Sequence, residues 1–303
     1  MNNTKLGNKY TLVNKQFLKT LLKTHIHPCK YITKKLTPEE QNLHNIIVDL
    51  INEQLTTSTN WLTRKRLQEL SVASVKRRQE IFQGLEDQLH EITNNKASDV
   101  ETLITDFYNT GAMQGYKDIQ RSIVFTEADE KALFHINQYS FDQIRGLSND
   151  LTSQIRTEIW RGVGEGASMP KITNRLLELN IEPLNVNGRV LSPRTRAEMI
   201  ARTETARARN TGSLQSYANY GIEYGELITA RDDRVCEDCL DIEDNNPHTL
   251  TELSNIAPVH PNCRCAVAPV TGINVNRDVD DNPVVIDTTT DNQESVNRVD
   301  DLK

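Results

Sequence analysis

Aromatic side chains are scarce in this chain. Phe, Trp and Tyr make up 5% of it, and the whole apolar set only 37%, with a mean hydropathy of −0.57. That composition excludes one large, uniformly packed core. It predicts extended helical parts and unstructured ends around one compact piece, although 303 residues suffice for one large or two modest domains. Long apolar runs are missing too. No stretch approaches the roughly 20 residues needed to span a bilayer, and no apolar h-region opens the chain. The expectation is a product without membrane contact, made where thiols stay reduced.

Several catalytic signatures are absent. No H-x-E occurs, as a zinc deaminase would require. His90-Glu91 is followed by Asn94 where a metalloprotease helix needs its second histidine. Gly162-Val163-Gly164-Glu165-Gly166 follows a helical pattern rather than a strand, and no G-K-[ST] closes it. Those glycines read as a helix end and turn, not a phosphate loop.

Charge is distributed unevenly. The net value is −7, yet the first 38 residues hold eight lysines and no acid. Phe17, Leu18, Leu21 and Leu22 recur at helical spacing there, with Lys15, Lys19 and Lys23 on another face. Lys5, Lys9, Lys15, Lys19 and Lys23 are the candidates for contact with DNA phosphates, since lysines act as point charges. An ordinary solvated terminus is the plainer alternative. From Gly272 onward eight acids face Arg277, Arg298 and Lys303, without periodicity, which reads as a disordered tail.

Between these ends the pattern is mainly helical. Thr37-Pro38-Glu39-Glu40 combines a capping hydroxyl, proline at the first position and acids in the first turn. Leu43, Ile46, Ile47, Leu50, Ile51 and Leu55 follow at three and four. A polar Thr56–Asn60 run predicts an interruption, after which Trp61 to His90 continues with Gly84 as a weak point. Further helices are predicted from Ser98 to about Tyr116, from Thr126, from Leu147 to Trp160, and from Ser168 through Leu179. Asn185 to Arg189 reads as a turn. Ser192-Pro193 opens the most regular helix, to about Tyr220. Glu198 and Arg202 form an i,i+4 pair on it, and Ala197, Ala201 and Ala208 line a strip suited to close packing. Residues 226–230 and 265–270 read as strands that pair.

The strongest chemical signal is Cys236-Glu237-Asp238-Cys239 followed by His260-Pro261-Asn262-Cys263-Arg264-Cys265. A C-x-x-C turn points two thiolates at one centre, and H-x-x-C-x-C can supply the remaining ligands of a tetrahedral zinc site. The spacing permits either Cys263 or Cys265 as the fourth ligand, because one intervening residue moves a thiol only a few ångströms. Disulfides or unlinked thiols are the alternatives. A thioredoxin-like pair would open a helix in a βαβ unit, whereas Leu240 to Pro247 reads as acidic and turn-rich. With every candidate ligand supplied by protein, the cluster reads as closed and structural.

Three segments carry a resemblance: Ala201-Arg202-Thr203-Glu204-Thr205-Ala206, Asp232-Asp233-Arg234-Val235-Cys236-Glu237-Asp238-Cys239, and Pro258-Val259-His260-Pro261-Asn262-Cys263-Arg264-Cys265. In their order the chain resembles the tailed-phage head-morphogenesis, or minor head protein, family with its Mu F-like relatives. The likeness extends over approximately residues 100–270 and is most specific in the last seventy. It departs from the pattern at Asp241–Asn246, which is acidic and glycine-free. The resemblance implies a low-copy virion component of the phage head, present in the host cytoplasm during assembly. Implied partners are the portal protein and scaffold or capsid protein, with influence on DNA packaging or ejection in some relatives. It marks Arg202, Glu204 and Asp232 as motif positions and implies no catalytic residue.

The expected architecture is mainly α with a small C-terminal α+β domain, a long helix plus a short antiparallel hairpin stapled by the Cys/His cluster. Expected divisions are a basic arm 1–37, a helical region 38–145, a minor-head-type domain 146–271 and an acidic tail 272–303. The competing function is an enzyme acting on nucleic acid or nucleotide, with Glu204 as general base and Arg202 as anion clamp beside the cluster.

Overall fold

The computed structural model describes residues 35–179, 184–186, 189–232, 235–271, 273–277 and 283–287. Lys5, Lys9, Lys15, Lys19 and Lys23 and the Asn187-Gly188 turn lie outside them.

Capping residues set the helix starts. Helix α1 (Pro38–Trp61) begins with a full capping box between Thr37 and Glu40. It runs straight through the polar 56–60 segment, where the sequence predicts a break. Ser58 Oγ donates to the Gln54 carbonyl at 2.7 Å and Thr59 Oγ1 to that of Thr56 at 2.9 Å, so the hydroxyls bond the preceding turn instead of ending the helix. The breaks fall later, where Thr63 caps α2 (Arg64–Val72) and Ser74 caps α3 (Val75–Asn95). Then comes α4 (Ala97–Asp118). Helix α5 (Glu127–Gly164) is a single 38-residue element where two shorter helices are expected. It ends at the glycine run, with Gly166 at φ +65°, and Gly162 leaves room for Ile172. Helix α6 (Met169–Glu178) and the short antiparallel strands β1 (Leu184–Val186) and β2 (Arg189–Leu191) lead into α7 (Pro193–Asn219), capped by Ser192.

The main core lies among α1 to α7, around Leu43, Leu70, Leu89, Ile104, Leu151 and Ile172. Phe82 links Trp61 and Trp160, with both ring centroids 5.7 Å away. The closest approach is the crossing of α4 and α7. A Cβ on Gly111 would sit 2.0 Å from the Arg209 carbonyl oxygen, and one on Gly212 would sit 2.2 Å from that of Tyr108. Ser213 Oγ and Ser216 Oγ donate to the Gly111 and Ala112 carbonyls at 2.9 and 3.0 Å. The alanine strip read from the sequence is buried in this interface or beside it, but the tightest positions are the glycines and serines.

After α7 the chain forms a small antiparallel sheet in the order β4-β3-β5, from β3 (Tyr224–Ile228), β4 (His248–Thr249) and β5 (Ala266–Pro269). The expected pairing of the two longer strands is present, with Leu227 opposite Val267. Short helices α8 (Glu237–Asp244) and α9 (Leu250–Ile256) cover the sheet. Residues 237–244 are therefore helical where an acidic turn is expected. Cys236 supplies the cap and Glu237 and Asp238 fill the first turn, where carboxylates favour a helix N-terminus. This unit has its own small core of Leu214, Tyr217, Leu227, Leu253 and Val267 together with Cys239, Cys263 and Cys265. Beyond it, β6 (Ile273–Arg277) and β7 (Pro283–Asp287) pair antiparallel within the segment read as an unstructured tail, whose other residues lie outside those described. The chain is thus mostly helical with a small three-stranded antiparallel sheet near its C-terminus.

Candidate metal centre

The two cysteine motifs meet where α8 begins against the loop before β5. Cys236 is the N-cap of α8, its Sγ accepting from the Cys239 amide at 3.4 Å. One helical turn thereby aims both sulfurs the same way. Opposite them, His260 Nε2 lies 3.2 Å from Cys236 Sγ and 3.2 Å from Cys239 Sγ. Its other ring nitrogen, Nδ1, is 2.8 Å from the Pro261 carbonyl, which can only accept, so Nδ1 carries the proton and Nε2 presents its lone pair to the sulfurs. Cys263 Sγ is 4.0 Å from Cys239 Sγ. The donor atoms of Cys236, Cys239 and His260 all lie within 4.8 Å of one another, as do those of Cys239, Cys263 and Cys265.

Each of these two groups of three could hold a metal ion, and Cys239 is common to both. Zinc bonds of about 2.3 Å to sulfur and about 2.0 Å to nitrogen give S···S edges of about 3.8 Å and S···N edges of about 3.5 Å. Cys239, Cys263 and Cys265 are buried, and all four cysteines of the cluster are free thiols. As bare thiols they perturb one another strongly. Cys263 is drawn down to about 2, first by its contact with Cys239 and then by Cys265. Cys239 is pushed up by the same contact with Cys263. The Cys239 contact lowers Cys265, but its contact with Cys263 and burial outweigh that and leave it at about 12. The neighbouring sulfurs and burial, not solvent, set these thiols, and a soft cation would let several thiolates coexist there.

An outer layer of polar contacts ties both motifs to the rest of the fold. Arg264, between Cys263 and Cys265, holds Asp232 with two bonds of 2.7 and 2.6 Å, joining the H-x-x-C-x-C loop to the approach of the C-x-x-C. Asn262, at φ +64°, donates its amide to Thr203 Oγ1 at 2.9 Å and accepts from Arg202 Nη1 at 3.1 Å. Asn210 Nδ2 donates to the Cys265 carbonyl at 3.1 Å. Helix α7 therefore positions the loop that carries His260 and both later cysteines. Arg202 is only 4% exposed and also pairs with Glu198 at 3.0 Å and Glu40 at 3.9 Å, so it links α1, α7 and the cluster loop.

Of the motif residues, Asp232 and Arg202 reach the cluster's surroundings. Glu204 bonds elsewhere, to Ser140 and Arg207. It is 3% exposed, accepts from Ser140 on α5 at 2.9 Å and from Arg207 at 3.1 Å, and burial raises its carboxyl against the lowering effect of Arg207. Thr203, Asn210, Asn262 and Arg264 are structural contributors that spacing alone misses. Their signal was adjacency, since all but Asn210 stand inside the quoted motifs.

A family model described as Phage Mu protein F like protein matches residues 153–268. The span starts within α5 and ends in β5, so it contains the glycine turn, α6, α7 and the whole cluster. It is narrower at its N-terminal end than the approximate 100–270 of the sequence reading. The omitted α4 offers an apolar helical pattern and no metal-ligand motif. No curated protein and no solved structure matches the chain. Among the described residues, no helix is long and apolar enough to cross a membrane.

Proposed function

We propose, from the membership of residues 153–268 in this phage head-morphogenesis family, that the chain is a structural minor head protein that binds the portal or the interior of the assembling procapsid. The observation that carries the proposal is the family match over the unit built around the Cys/His cluster. In this reading Cys236, Cys239, His260 and one of Cys263 and Cys265 hold a zinc ion. The ion replaces hydrophobic area that so small a sheet lacks, as in other domains with little core. It has no catalytic task, because protein atoms supply every ligand. The enzymatic alternative needs Arg202 and Glu204 facing a substrate, and both are buried against protein partners.

The lysines of residues 5–23 would touch packaged DNA. Contacts of that kind weaken steeply with salt and do not depend on base sequence.

Quantitative mass spectrometry of purified procapsids and mature heads tests the assignment. The chain should appear in both or in procapsids alone, at low copy, and should co-purify with the portal when the two are co-expressed. Its absence from both particles overturns the assignment. For the arm, deletion of residues 1–37 should abolish salt-dependent binding to duplex DNA; unchanged binding rejects that part.

A further inference from the structure

The sheet unit carries a second feature beside the cluster, sharing Asp232 with its outer layer. On the far side of β3 an open concavity of about 780 Å³ is lined by Glu226, Ile228, Leu240, Glu243, Asp244 and Asn246, among others. Its floor is partly apolar and accessible, Ile228 being 39% exposed and Leu240 40%. Its rim is acidic. Glu243 is held by Thr229 and Arg231, whereas among the described residues Glu226 and Asp244 have no ion-pair partner. The surrounding stretch 223–244 has nine acids and two arginines.

The strand edge at this place is already used. Asn246 donates to the Leu227 carbonyl at 3.0 Å and accepts from the Leu227 amide at 2.9 Å, and Glu243 accepts from the Thr229 amide at 3.1 Å. Side chains thus stand in for a neighbouring strand, so an occupant cannot join by backbone pairing. It must bind through side chains, with apolar groups below and cations at the rim.

One segment of this chain has that chemistry. Residues 1–34 hold seven lysines and no acidic residue, with Phe17, Leu18, Leu21 and Leu22 interleaved. Length sets no obstacle, since 34 residues can span roughly 110 Å. We infer that the lysine-rich segment 1–34 docks into the acidic concavity between β3 and α8 of its own chain, its apolar residues on Ile228 and Leu240 and its lysines beside Glu226 and Asp244. Docked there, the lysines are withheld from other anions until a stronger polyanion draws them off. The inference stands independently of the portal assignment.

Zero-length carbodiimide cross-linking of the full chain, read by mass spectrometry, tests it. Mixing heavy- and light-isotope chains separates links within a chain from links between chains. Links from lysines of residues 1–34 to Glu226 or Asp244 should dominate and should occur within one chain. They should fall about fivefold or more between 50 and 500 mM salt, as expected for exposed charges. A comparable loss should follow Phe17→Ser with Leu21→Ser, and Leu240→Ser on the other side. Links spread evenly over distant carboxylates such as Asp99, links only between chains, or links indifferent to the serine variants would each overturn the inference.

Discussion

The helical region and the sheet unit are stabilised by different means. The first places leucines and isoleucines from seven helices around one core, and some of its polar interior groups bond each other, as Gln54, Thr93 and Ser148 do. The second has few large apolar residues and fills its centre with Cys239, Cys263 and Cys265. A large core is tolerant, because many contacts share the burden. A small core of this kind, if a few ligands on an ion hold it, depends on each of them. Helix α7 belongs to both, packing Ala201 and Ala208 in the first and Leu214 and Tyr217 in the second.

That contrast can be tested in descending order of effect. Replacing Cys239 by Ser, or stripping metal with a chelator, should unfold residues 224–269 and leave α1 to α5 protected. Hydrogen exchange followed by mass spectrometry reads the two regions separately, and equal loss in both would erase the distinction. The expected local cost is several kcal/mol, since metal binding free energy is folding free energy in such units.

Gly212→Ala should act in the opposite region. Its new methyl meets the Tyr108 carbonyl oxygen and the Ala112 amide nitrogen, both backbone atoms that cannot swing aside. A loss of about 3 kcal/mol is expected from such overpacking, visible as a lower denaturation midpoint of the helices. An unchanged midpoint would mean that α4 and α7 separate freely.

Asp232→Asn should cost less, about 1–2 kcal/mol, because it removes one charge of a partly buried bidentate pair. Its signature should be faster metal loss to a chelator with no change in the helical region.

The smallest expected effect is a pH slope. Burial raises the Glu204 carboxyl in the folded chain above its value when unfolded. The folded state therefore binds the extra proton first. Stability from this group is present in full below the unfolded value, near pH 4.5, and is lost as pH rises through the folded value. Glu204→Gln should flatten that decline in urea midpoints measured from pH 4.5 upward, and an unaltered slope would exclude Glu204 as its source.

The helices were largely legible because capping hydroxyls and three-four spacing are local properties. Thr37, Thr126 and Ser192 each mark a start that the fold keeps. Pattern and structure part where polar residues carry two meanings. Thr56–Asn60 looks like a break, yet its hydroxyls bond the preceding turn. Leu240–Pro247 looks like a turn, yet Cys236 caps a helix that runs to Asp244.

The sequence by itself determined which atoms could form the cluster, since a C-x-x-C and an H-x-x-C-x-C supply soft ligands at short spacing whatever surrounds them. Only the tertiary structure decided that these two motifs meet, because the meeting depends on the pairing of β3 with β5 and on contacts from Arg202, Thr203 and Asn210, far away in sequence. It also decided that α7 is shared by both regions. Glycine and serine permit close helix crossing without specifying a partner, and the partner emerges only when Gly111 and Gly212 are brought face to face.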